Sequence, residues 1–440
     1  MEHKDKESNQ FLNKPHAEQH VKWVNDLKRQ RQPGPSFTNN KYLSPKNKMS
    51  TLCVHSGTYE DPVTRSVGTP VFASTTFKFS EDTYESFLEG FVRDLPTYTR
   101  YGNPNQWAAQ LKIAALENAE SALVMASGMA AISTTLLALS NTNGHIISSF
   151  DVYGGSYNLL RSDMHQFGRS VSYVETYDIE AIKSKIRENT QIVFFELLSN
   201  PLMKAFDLVE AAKLCKENNI LLIIDNTFLT PISCRPLDFG ADLVIHSATK
   251  YLGGHSDLTC GAVVGSRKLV DRIWAQMLRL GGSLDPFACF LLERSLKTLA
   301  IRMEAHAKGA RSIVNYLKTH PKVKRIYSPY LDDSSASVLS KYAPMVSTGI
   351  MSFEIEGGNE AALAFLDHLQ IFTAATSLGG VESLVSLPFN TSHSGLTLNQ
   401  QKSIGLNPGL VRLSVGIEDP QDLRSDLEQA LENVYLTLNK

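Results

Sequence analysis

The sequence predicts an α/β protein built on a mostly parallel, doubly wound sheet, with a smaller C-terminal α+β domain. Between residues 122 and 265, short apolar runs alternate with helical stretches and turn residues. Runs without polar alternation are typical of strands buried on both faces, and helices between such strands make the sheet parallel. Beyond about residue 302, the strand candidates alternate polar and apolar residues, which is typical of half-exposed strands in a second sheet.

The first 50 residues are predicted to be an N-terminal extension. They are rich in charged residues, Asn and Gln, and four prolines interrupt them, so they offer little from which to build a core. We expect this extension to be mobile at its start. Because 440 residues exceed what one compact core holds, the rest is predicted to divide into a large domain with an N-terminal arm at 51–300 and a small domain at 301–440.

In the large domain, polar residues follow the predicted strands at the points where the strands end. The ends of parallel strands meet along one edge of a sheet, and ligands bind there. The strand candidates are 122–125, 145–148, 192–195, 220–224, 243–245 and 261–265. The polar or glycine-rich segments after the first five of them are 127–128, 153–156, 196–201, 225–227 and 247–254. This edge is therefore the predicted ligand site.

In the small domain, the alternating segments 349–354 and 410–415 are the predicted strands. The last helix begins with Asp419 as its N-cap and Pro420 in its first turn. One face of this helix carries an apolar stripe, formed by Leu423, Leu427, Leu431, Val434 and Leu438. Such a stripe packs on a core, so this helix is predicted to cover the second sheet.

Composition and charge exclude several classes of function. The formal charge of −2 provides no field to attract nucleic acid or an anionic membrane, and no apolar run approaches the roughly 20 residues that cross a bilayer. The five cysteines are scattered without a C-x-x-C pair, which argues against a disulfide framework or a metal site. The N-terminus has no apolar signal core. We therefore expect a globular, cytoplasmic protein without a bound metal.

Lys250 is the candidate catalytic residue. It follows the strand at 243–245 and is flanked by hydroxyl groups and glycines in the segment Ser-Ala-Thr-Lys-Tyr-Leu-Gly-Gly, residues 247–254. A lysine at the edge of a parallel sheet, next to groups that hold a phosphate, is what Schiff-base chemistry with pyridoxal 5′-phosphate requires. Most lysines at strand ends are simply solvated, so the other polar residues of this edge decide between the two interpretations.

Other residues at the same edge match the remaining needs of this cofactor. Asp225 is placed to keep a pyridinium nitrogen protonated, although an aspartate after a strand is also typical of a turn or helix cap. The backbone amides of Gly128 and Met129, at the start of a helix, suit the phosphate. The hydroxyl groups of Ser247 and Thr249 add further donors to the predicted phosphate site.

Two further side chains match the cofactor ring and the substrate. Tyr153 stands beside two glycines that permit close approach, so its ring is a candidate for stacking on the cofactor. Arg412, on a strand of the small domain, has the planar guanidinium that binds a substrate carboxylate through two hydrogen bonds. A purely structural tyrosine and an exposed arginine are the alternatives at these positions.

Eight segments, in order along the chain, resemble the Cys/Met-metabolism family of pyridoxal-phosphate enzymes. That family includes cystathionine γ-synthase, cystathionine γ- and β-lyases, methionine γ-lyase and O-acetylhomoserine sulfhydrylase. The segments are Tyr-Thr-Arg-Tyr-Gly-Asn-Pro (98–104), Ser-Gly-Met-Ala-Ala (127–131), Tyr-Gly-Gly (153–155), Glu-x-x-Ser-Asn-Pro (196–201), Asp-Asn-Thr-Phe (225–228), Ser-Ala-Thr-Lys-Tyr (247–251), Ser-Leu-Gly-Gly-x-Glu-Ser-Leu (377–384) and Val-Arg-Leu-Ser-Val-Gly (411–416). The resemblance extends from about residue 51 to the C-terminus, and it implies the aspartate-aminotransferase-like fold (fold type I) with pyridoxal 5′-phosphate as cofactor.

The resemblance also implies roles for individual residues near the cofactor. Lys250 would move protons between carbons of the substrate, as a general acid and base. Tyr153 would stack on the ring and assist proton transfer. Asn200 would lie near the 3′-oxygen of the cofactor, and Thr227 belongs to the cofactor-binding motif at Asp225.

Four other residues receive implied roles. Tyr98 and Arg100 would reach the cofactor phosphate of a neighbouring subunit, so the active unit would be a homodimer, usually paired into a homotetramer. Ser377 and Arg412 would hold the carboxylate of an amino-acid substrate. No other partner is implied.

Two positions depart from subfamily patterns. Methionine γ-lyases usually carry a cysteine where Gly155 stands. Enzymes that act on cystathionine through its γ-carbon usually carry a glutamate where Thr376 stands, next to the substrate. Because a threonine lacks the charge that pairs with a distal ammonium, the sequence does not select cystathionine as the substrate. The glycine at position 155 likewise does not select a dedicated methionine γ-lyase.

The reaction expected from this resemblance is the elimination of a thiol or hydrogen sulfide at the γ- or β-carbon of a sulfur-containing amino acid. Such a carbon–sulfur lyase of the trans-sulfuration type also releases ammonia and a 2-oxo acid. The alternative is a transferase that replaces the γ-substituent of an activated homoserine ester. A non-catalytic relative would be expected to lack Lys250 or Asp225, and the G-x-G-x-x-G and G-x-S-x-G motifs of dinucleotide enzymes and hydrolases are missing.

Overall fold

The computed structural model describes residues 47–79, 81–88, 92–174, 178–391, 401 and 405–438. Within these residues the chain forms two sheets, each packed against helices. The predicted N-terminal extension lies outside the described residues except for 47–50, which lead into helix α1 (Met49–His55).

The larger sheet has seven strands in the order β1-β7-β6-β5-β4-β2-β3. They are β1 (Ser121–Met125), β2 (His145–Ser149), β3 (Ser170–Val174), β4 (Thr190–Glu196), β5 (Leu221–Asp225), β6 (Leu243–Ser247) and β7 (Gly261–Gly265). Neighbouring strands from β6 to β3 run parallel, whereas β7 is antiparallel to both of its neighbours. The prediction of a mostly parallel sheet is confirmed.

Helices cover both faces of this sheet, as the prediction of a doubly wound fold requires. The helices of this part of the chain, among the described residues, are α2 (Glu81–Leu88), α3 (Pro104–Leu116), α4 (Gly128–Leu139), α5 (Gly154–Asn158) with a π-helical turn (Leu159–Asp163), α6 (Met164–Gln166), α7 (Ile179–Lys183), α8 (Leu208–Glu217), α9 (Thr230–Ser233), a 3-10 turn (Pro236–Phe239), α10 (Arg267–Leu280) and α11 (Pro286–Leu296). Ile223 and Ile245 pack with Leu136 of α4 on one face. Ile224 and Val244 pack on the other face, in a core that includes side chains of α3 and α11. Burial on both faces explains why the apolar runs do not alternate.

The smaller sheet has five strands in the order β10-β11-β12-β9-β8, and only β10 and β11 pair in parallel. Its strands are β8 (Val323–Tyr327), β9 (Ile350–Ile355), β10 (Thr373–Ala374), β11 (Leu384–Ser386) and β12 (Leu410–Ser414). The helices α13 (Ser334–Leu339), α14 (Gly358–His368) and α15 (Pro420–Leu438) belong to the same part of the chain. As predicted, Asp419 Oδ1 accepts the N–H of Gln421 at the start of α15, and Leu423, Leu427, Leu431 and Val434 are fully buried.

One long helix, α12 (Leu299–Leu317), lies between the two sheets. Leu299 and Met303, in its first half, belong to the core of the larger sheet. Ile313 and Leu317, in its second half, belong to the core of the smaller sheet. The division into domains at residue 300 stays a prediction, because this helix takes part in both cores. None of the helices in the described ranges is long and apolar enough to span a membrane.

Candidate active site

A cavity of about 620 Å³ lies where strands β4, β5 and β6 end, and it is closed on the other side by residues of the smaller sheet. Its lining contains all but two of the site residues predicted from the sequence. Those in the lining are Gly128, Met129, Tyr153, Asn200, Asp225, Thr227, Ser247, Thr249, Lys250, Thr376, Ser377 and Arg412. The structure thus brings together residues that are up to 284 positions apart in the sequence.

Lys250 projects into the cavity from the turn that follows β6. Its Nζ donates a hydrogen bond to Ser377 Oγ at 2.7 Å. Burial, and then the positive charge of Arg412, lower the pKa of Lys250 to about 8. An amine with this pKa is neutral in an appreciable fraction of molecules near pH 7, so it can act as a nucleophile and as a base.

The turn that carries Lys250 is held by a buried arginine. Arg302 Nη1 donates to the carbonyl of Tyr251 at 2.7 Å, and Arg302 Nη2 donates to the carbonyl of Ser295 at 2.9 Å. Gly254 has a positive φ of 68°, and a Cβ there would lie 2.1 Å from Arg302 Nη1. The turn therefore requires glycine at this position, both for its backbone conformation and for the space that the guanidinium fills.

Arg412 lies in strand β12 and is almost completely buried. Its Nη1 donates to Asn200 Oδ1 at 3.1 Å, and its Nη2 donates to the carbonyl of Ser377 at 2.9 Å. Within the part of the chain that the structure describes, its Nε has no hydrogen-bond partner. Burial lowers the pKa of Arg412 to about 10, so the guanidinium is charged at neutral pH. A buried cation with a donor to spare is suited to an anionic ligand such as a carboxylate.

Two carboxyl groups stand side by side where β4 and β5 end, because Glu196 and Asp225 are register partners. Asp225 Oδ1 accepts the N–H of Thr227 at 2.9 Å, and Glu196 Oε1 accepts the N–H of Tyr153 at 2.7 Å. Burial raises the pKa of both carboxyl groups. A buried carboxylate such as Asp225 is stabilised when a cationic group lies opposite to it.

The N-terminus of helix α4 faces the cavity. Ser127 Oγ accepts the N–H of Ala130 at 3.0 Å, and the N–H groups of Gly128 and Met129 lie in the first turn, where a helix has no internal acceptors. A Cβ on Gly128 would lie 2.8 Å from Ser247 Oγ, so only glycine allows the helix to start this close to β6. The amides together with the Ser247 hydroxyl form an anion site.

The two threonines of the predicted cofactor site use their hydroxyl groups within the protein. Thr249 Oγ1 donates to the carbonyl of Cys260 and accepts the N–H of the same residue. Thr227 Oγ1 accepts the N–H of Ser247 at 2.8 Å. Both side chains line the cavity, but in this conformation they first connect the turns that carry Asp225 and Lys250.

Tyr153 lies at the mouth of the cavity, with 47% of its surface exposed. Its ring covers Gly155, where an added Cβ would lie 2.6 Å from Tyr153 Cε1 and 3.1 Å from Met129 Sδ. A cysteine at this position, as the resemblance describes for methionine γ-lyases, would therefore require the ring to move. The observed position of the Tyr153 ring therefore requires glycine at position 155.

Tyr98 and Arg100 do not line the cavity of the chain that carries them. The Arg100 guanidinium lies over the rings of Tyr98 and Tyr101, at 5.3 and 5.5 Å. Tyr98 is 40% exposed. The contact of Tyr98 and Arg100 with the cofactor site of a second molecule stays a prediction.

Five polar residues of the lining were not among the predicted site residues: Ser127, Glu196, Thr259, Ser386 and Thr391. Glu196 carries the same signal as Asp225, a carboxylate at the end of an apolar run, and this signal could have identified it. Ser386 ends the three-residue strand β11, and Thr391 follows that strand. A strand this short leaves no periodic pattern in the sequence.

The groups around the cavity fit pyridoxal 5′-phosphate. The amides of Gly128 and Met129 suit its phosphate, the carboxylate of Asp225 suits its ring nitrogen, and the amine of Lys250 suits its aldehyde. Arg412, with its partnerless Nε, remains for the carboxylate of an amino acid. The phosphate, ring nitrogen and aldehyde of the cofactor and the carboxylate of an amino acid thus each have a suitable group in the lining.

Comparisons with known proteins agree with this chemistry. The chain is 38% identical over 394 residues to the L-methionine gamma-lyase of Fusobacterium nucleatum subsp. nucleatum, which covers 88% of this chain and 99% of that protein. It is 39% identical over 388 residues to the cystathionine gamma-lyase of Bacillus subtilis, which covers 88% and 100%. The crystal structure of cystathionine gamma-lyase from Lactobacillus plantarum, complexed with L-serine, superimposes with a TM-score of 0.82 at 36% identity and covers 88% and 100%.

Residues 50–432 match the family described as Cys/Met metabolism PLP-dependent enzyme. The match spans both sheets, and it confirms the predictions of the family, of an enzyme and of pyridoxal 5′-phosphate as the cofactor. The fold type implied by the resemblance is confirmed by the superimposed structure. The chain therefore belongs to the Cys/Met metabolism family of pyridoxal-phosphate-dependent enzymes.

Proposed function

We propose that this enzyme is a carbon–sulfur lyase. With one water molecule consumed, it cleaves a sulfur-containing amino acid into a thiol or hydrogen sulfide, ammonia and a 2-oxo acid. The observation that carries the proposal is the meeting of Lys250 and Arg412 at Ser377: the amine bonds the Ser377 hydroxyl, and the guanidinium bonds its carbonyl. A base and a carboxylate-binding cation that both contact Ser377 are close enough to act on the Cα–H and the carboxylate of one amino acid.

When it is bound, pyridoxal 5′-phosphate supplies an electron sink that weakens the bonds at the Cα of the amino acid. The α4 amides, the Asp225 carboxylate and the Lys250 amine would hold this group. The N–H of Thr227 stabilises the charged form of Asp225, and this charge would keep the ring nitrogen protonated, on which the electron sink depends.

Arg412 orients the substrate. Its guanidinium is fixed by Asn200 and by the carbonyl of Ser377, which leaves its Nε for the substrate carboxylate. With the carboxylate held, the Cα–H points toward Lys250. Lys250 then removes the proton at Cα and, for elimination at the γ-carbon, exchanges a proton at Cβ as well.

Tyr153 covers the outer side of the cavity. Its phenol stands at the mouth, where a departing sulfur leaves, and it can give a proton to the thiolate. Its ring also limits the access of water to the cavity, which favours release of the product over side reactions.

The relatives do not separate the substrates, because a methionine gamma-lyase and a cystathionine gamma-lyase are 38% and 39% identical to this chain. Thr376 provides a neutral hydroxyl in the lining. We infer that substrates with an uncharged distal end, such as methionine, are accepted. The experiment below distinguishes β-elimination from γ-elimination.

We also propose that two copies of the chain share their active sites. Tyr98 and Arg100, exposed and stacked on each other, would complete the phosphate site of a second molecule, in a homodimer that pairs into a tetramer. The expected location is the cytoplasm, where the five free cysteines stay reduced.

The test is to incubate the purified protein and cofactor with methionine and, separately, with cystathionine, and to identify the keto acid. Formation of 2-oxobutanoate supports γ-elimination, and pyruvate from cystathionine supports β-elimination. A protein that forms neither keto acid, but joins an activated homoserine ester to a thiol, would replace the lyase with the transferase.

A further inference from the structure

Glu196 connects two parts of the active site that come from different strand ends. Its Oε1 accepts the backbone N–H of Tyr153, which opens helix α5, at 2.7 Å. The backbone N–H of Asn200, which holds Arg412, also points to this carboxyl group. Glu196 is only 7% exposed. One buried carboxyl group therefore positions both the ring that covers the cavity and the partner of the substrate-binding arginine.

The surroundings of Glu196 carry an excess of acidic groups. Asp225 is its register partner on β5, and Asp151, fully buried, adds a second carboxylate whose Oδ2 lies 3.0 Å from Lys204 Nζ. Burial first, then Asp225 and Asp151, raise the pKa of Glu196 well above its usual range. Two carboxylates this close do not both ionise readily in a buried site.

Asp225 is better equipped to carry the charge. It accepts the N–H of Thr227 at 2.9 Å, and the Thr227 hydroxyl and His246 also act to lower its pKa, against the effect of burial. His246 Nε2 itself lies 2.6 Å from Glu117 Oε1, on the side of the sheet away from the cavity. No cation faces Glu196 in this way among the groups that shift its pKa.

We propose that Glu196 is a positioning residue that works as a neutral carboxylic acid, tying Tyr153 to Asn200 while Asp225 carries the negative charge. The inference rests on the proposed function, because it assigns the charge to the residue that meets the cofactor ring nitrogen. An anionic Glu196 would repel the negative charge of Asp225 and so favour the protonated form of Asp225. A neutral acid keeps the acceptor for the two N–H groups without a second charge.

The first experiment compares wild-type holoenzyme with Glu196→Gln, which is neutral at every pH. The melting temperature Tm of both is measured by calorimetry from pH 5.5 to 9. A buried carboxylic acid whose pKa is raised in the folded state stabilises the folded protein when it is protonated. This stabilisation is complete below the unfolded-state pKa of about 4.3, and it is lost as the pH rises toward the folded-state pKa. The Tm of the variant minus that of the wild type should therefore increase with pH. Groups that do not interact with Glu196 titrate alike in both proteins, so their contribution cancels. Asp225 and Asp151 affect the difference only through their interaction with Glu196.

The matched control is Glu217→Gln, a substitution at an exposed glutamate. The Tm of this variant minus that of the wild type should stay constant with pH. A constant difference for Glu196→Gln as well would overturn the neutral state of Glu196. This comparison of melting temperatures requires no measurement of catalytic activity.

The second experiment measures the dissociation constant of pyridoxal 5′-phosphate by equilibrium dialysis. Glu196→Ala leaves two N–H groups without an acceptor and should weaken binding about tenfold, and Glu196→Gln should recover most of this loss. An alanine variant that binds as tightly as the wild type overturns the positioning role, and a glutamine variant as weak as alanine overturns the neutral acid. If the alanine variant does not fold, the pH series alone decides. Wild-type protein that fails to bind the cofactor would instead overturn the proposed function.

Discussion

The two walls of the active-site cavity are built differently. The large-sheet wall (Gly128, Asp225, Ser247 and Lys250) lies at the ends of strands β5 and β6 and at the start of α4. The small-sheet wall (Thr376, Ser377 and Arg412) comes from a loop between β10 and β11 and from the middle of β12. In the first wall, strand ends and the start of a helix fix the residues. In the second wall, the buried strand β12 fixes Arg412, whereas Ser377 lies on a loop and bonds to Lys250 and Arg412.

Hydrogen bonds connect the two walls, and each wall matches a different part of the bound molecules. Arg412 reaches across to Asn200, and Lys250 reaches across to Ser377. The large-sheet wall holds groups that match a cofactor, whereas the small-sheet wall holds groups that match the carboxylate of an amino acid. A change in the first wall should abolish chemistry, and a change in the second should mainly weaken substrate binding.

Lys250→Ala tests the large-sheet wall and should have the largest effect. Without the amine, no group in the wall can move the Cα proton, so kcat should fall by at least about 10³-fold. The rate of keto-acid formation measures this. Lys308→Ala, an exposed lysine on α12, is the control and should match the wild type. Full activity in the Lys250 variant would remove this residue from the mechanism.

Arg412→Lys tests the small-sheet wall. Lysine keeps the charge but loses the planar pair of donors, so KM for the amino acid should rise by about 10- to 100-fold. The dissociation constant of the cofactor, measured by absorbance, should stay within about twofold. A matching loss of cofactor affinity would show that the two walls are not separate in function.

The pH dependence of cofactor uptake tests the electrostatic link between the walls. An amine attacks an aldehyde only when it is neutral, so uptake by cofactor-free protein should rise with pH and level off above about 8, the pKa of Lys250. Between pH 7 and 9 the rate should increase about tenfold. In Arg412→Met the charge that lowers this pKa is gone, and the midpoint should move upward. Stopped-flow absorbance measures both profiles. An unchanged midpoint in the variant would show that the charge of Arg412 does not lower the pKa of Lys250.

Gly155→Ala should have the smallest effect. The added Cβ would lie 2.6 Å from the Tyr153 ring, which must then shift at the mouth of the cavity. We expect kcat/KM to fall by about three- to tenfold, a loss of about 1 kcal/mol. Gly282→Ala is the control, since its Cβ would meet Ala130 at an ordinary 3.5 Å. Equal effects of the two substitutions would mean that the position of Tyr153 is unimportant.

The difference between the walls also explains what the sequence could predict. Asp225 directly follows an apolar run, and Lys250 lies in the turn after another run, so the pattern of runs indicated that they meet at one edge. Arg412 was proposed for the substrate carboxylate from its residue type, and the resemblance implied the same role, but nothing local in the sequence connects β12 to that edge. The register that sets Glu196 beside Asp225 is likewise a property of the folded sheet.

Some features of the fold were also beyond sequence patterns. Strand β3 was not predicted, because at the sheet edge it is only half buried and its residues mix serine with apolar side chains. The direction of β7 could not be read either, since an apolar run looks the same in parallel and antiparallel strands. The bonds between the Thr249 hydroxyl and the backbone of Cys260 could not be predicted either, and its role at the phosphate stays a prediction.

Helix α12 influences how the molecule loses its structure. Because Met303 belongs to one core and Leu317 to the other, loosening either sheet removes support from the same helix. The two sheets are therefore thermodynamically coupled, and we expect heat to melt them in one cooperative step. Both walls of the active site should then be lost at the same temperature, and a molecule with only one intact wall should not accumulate.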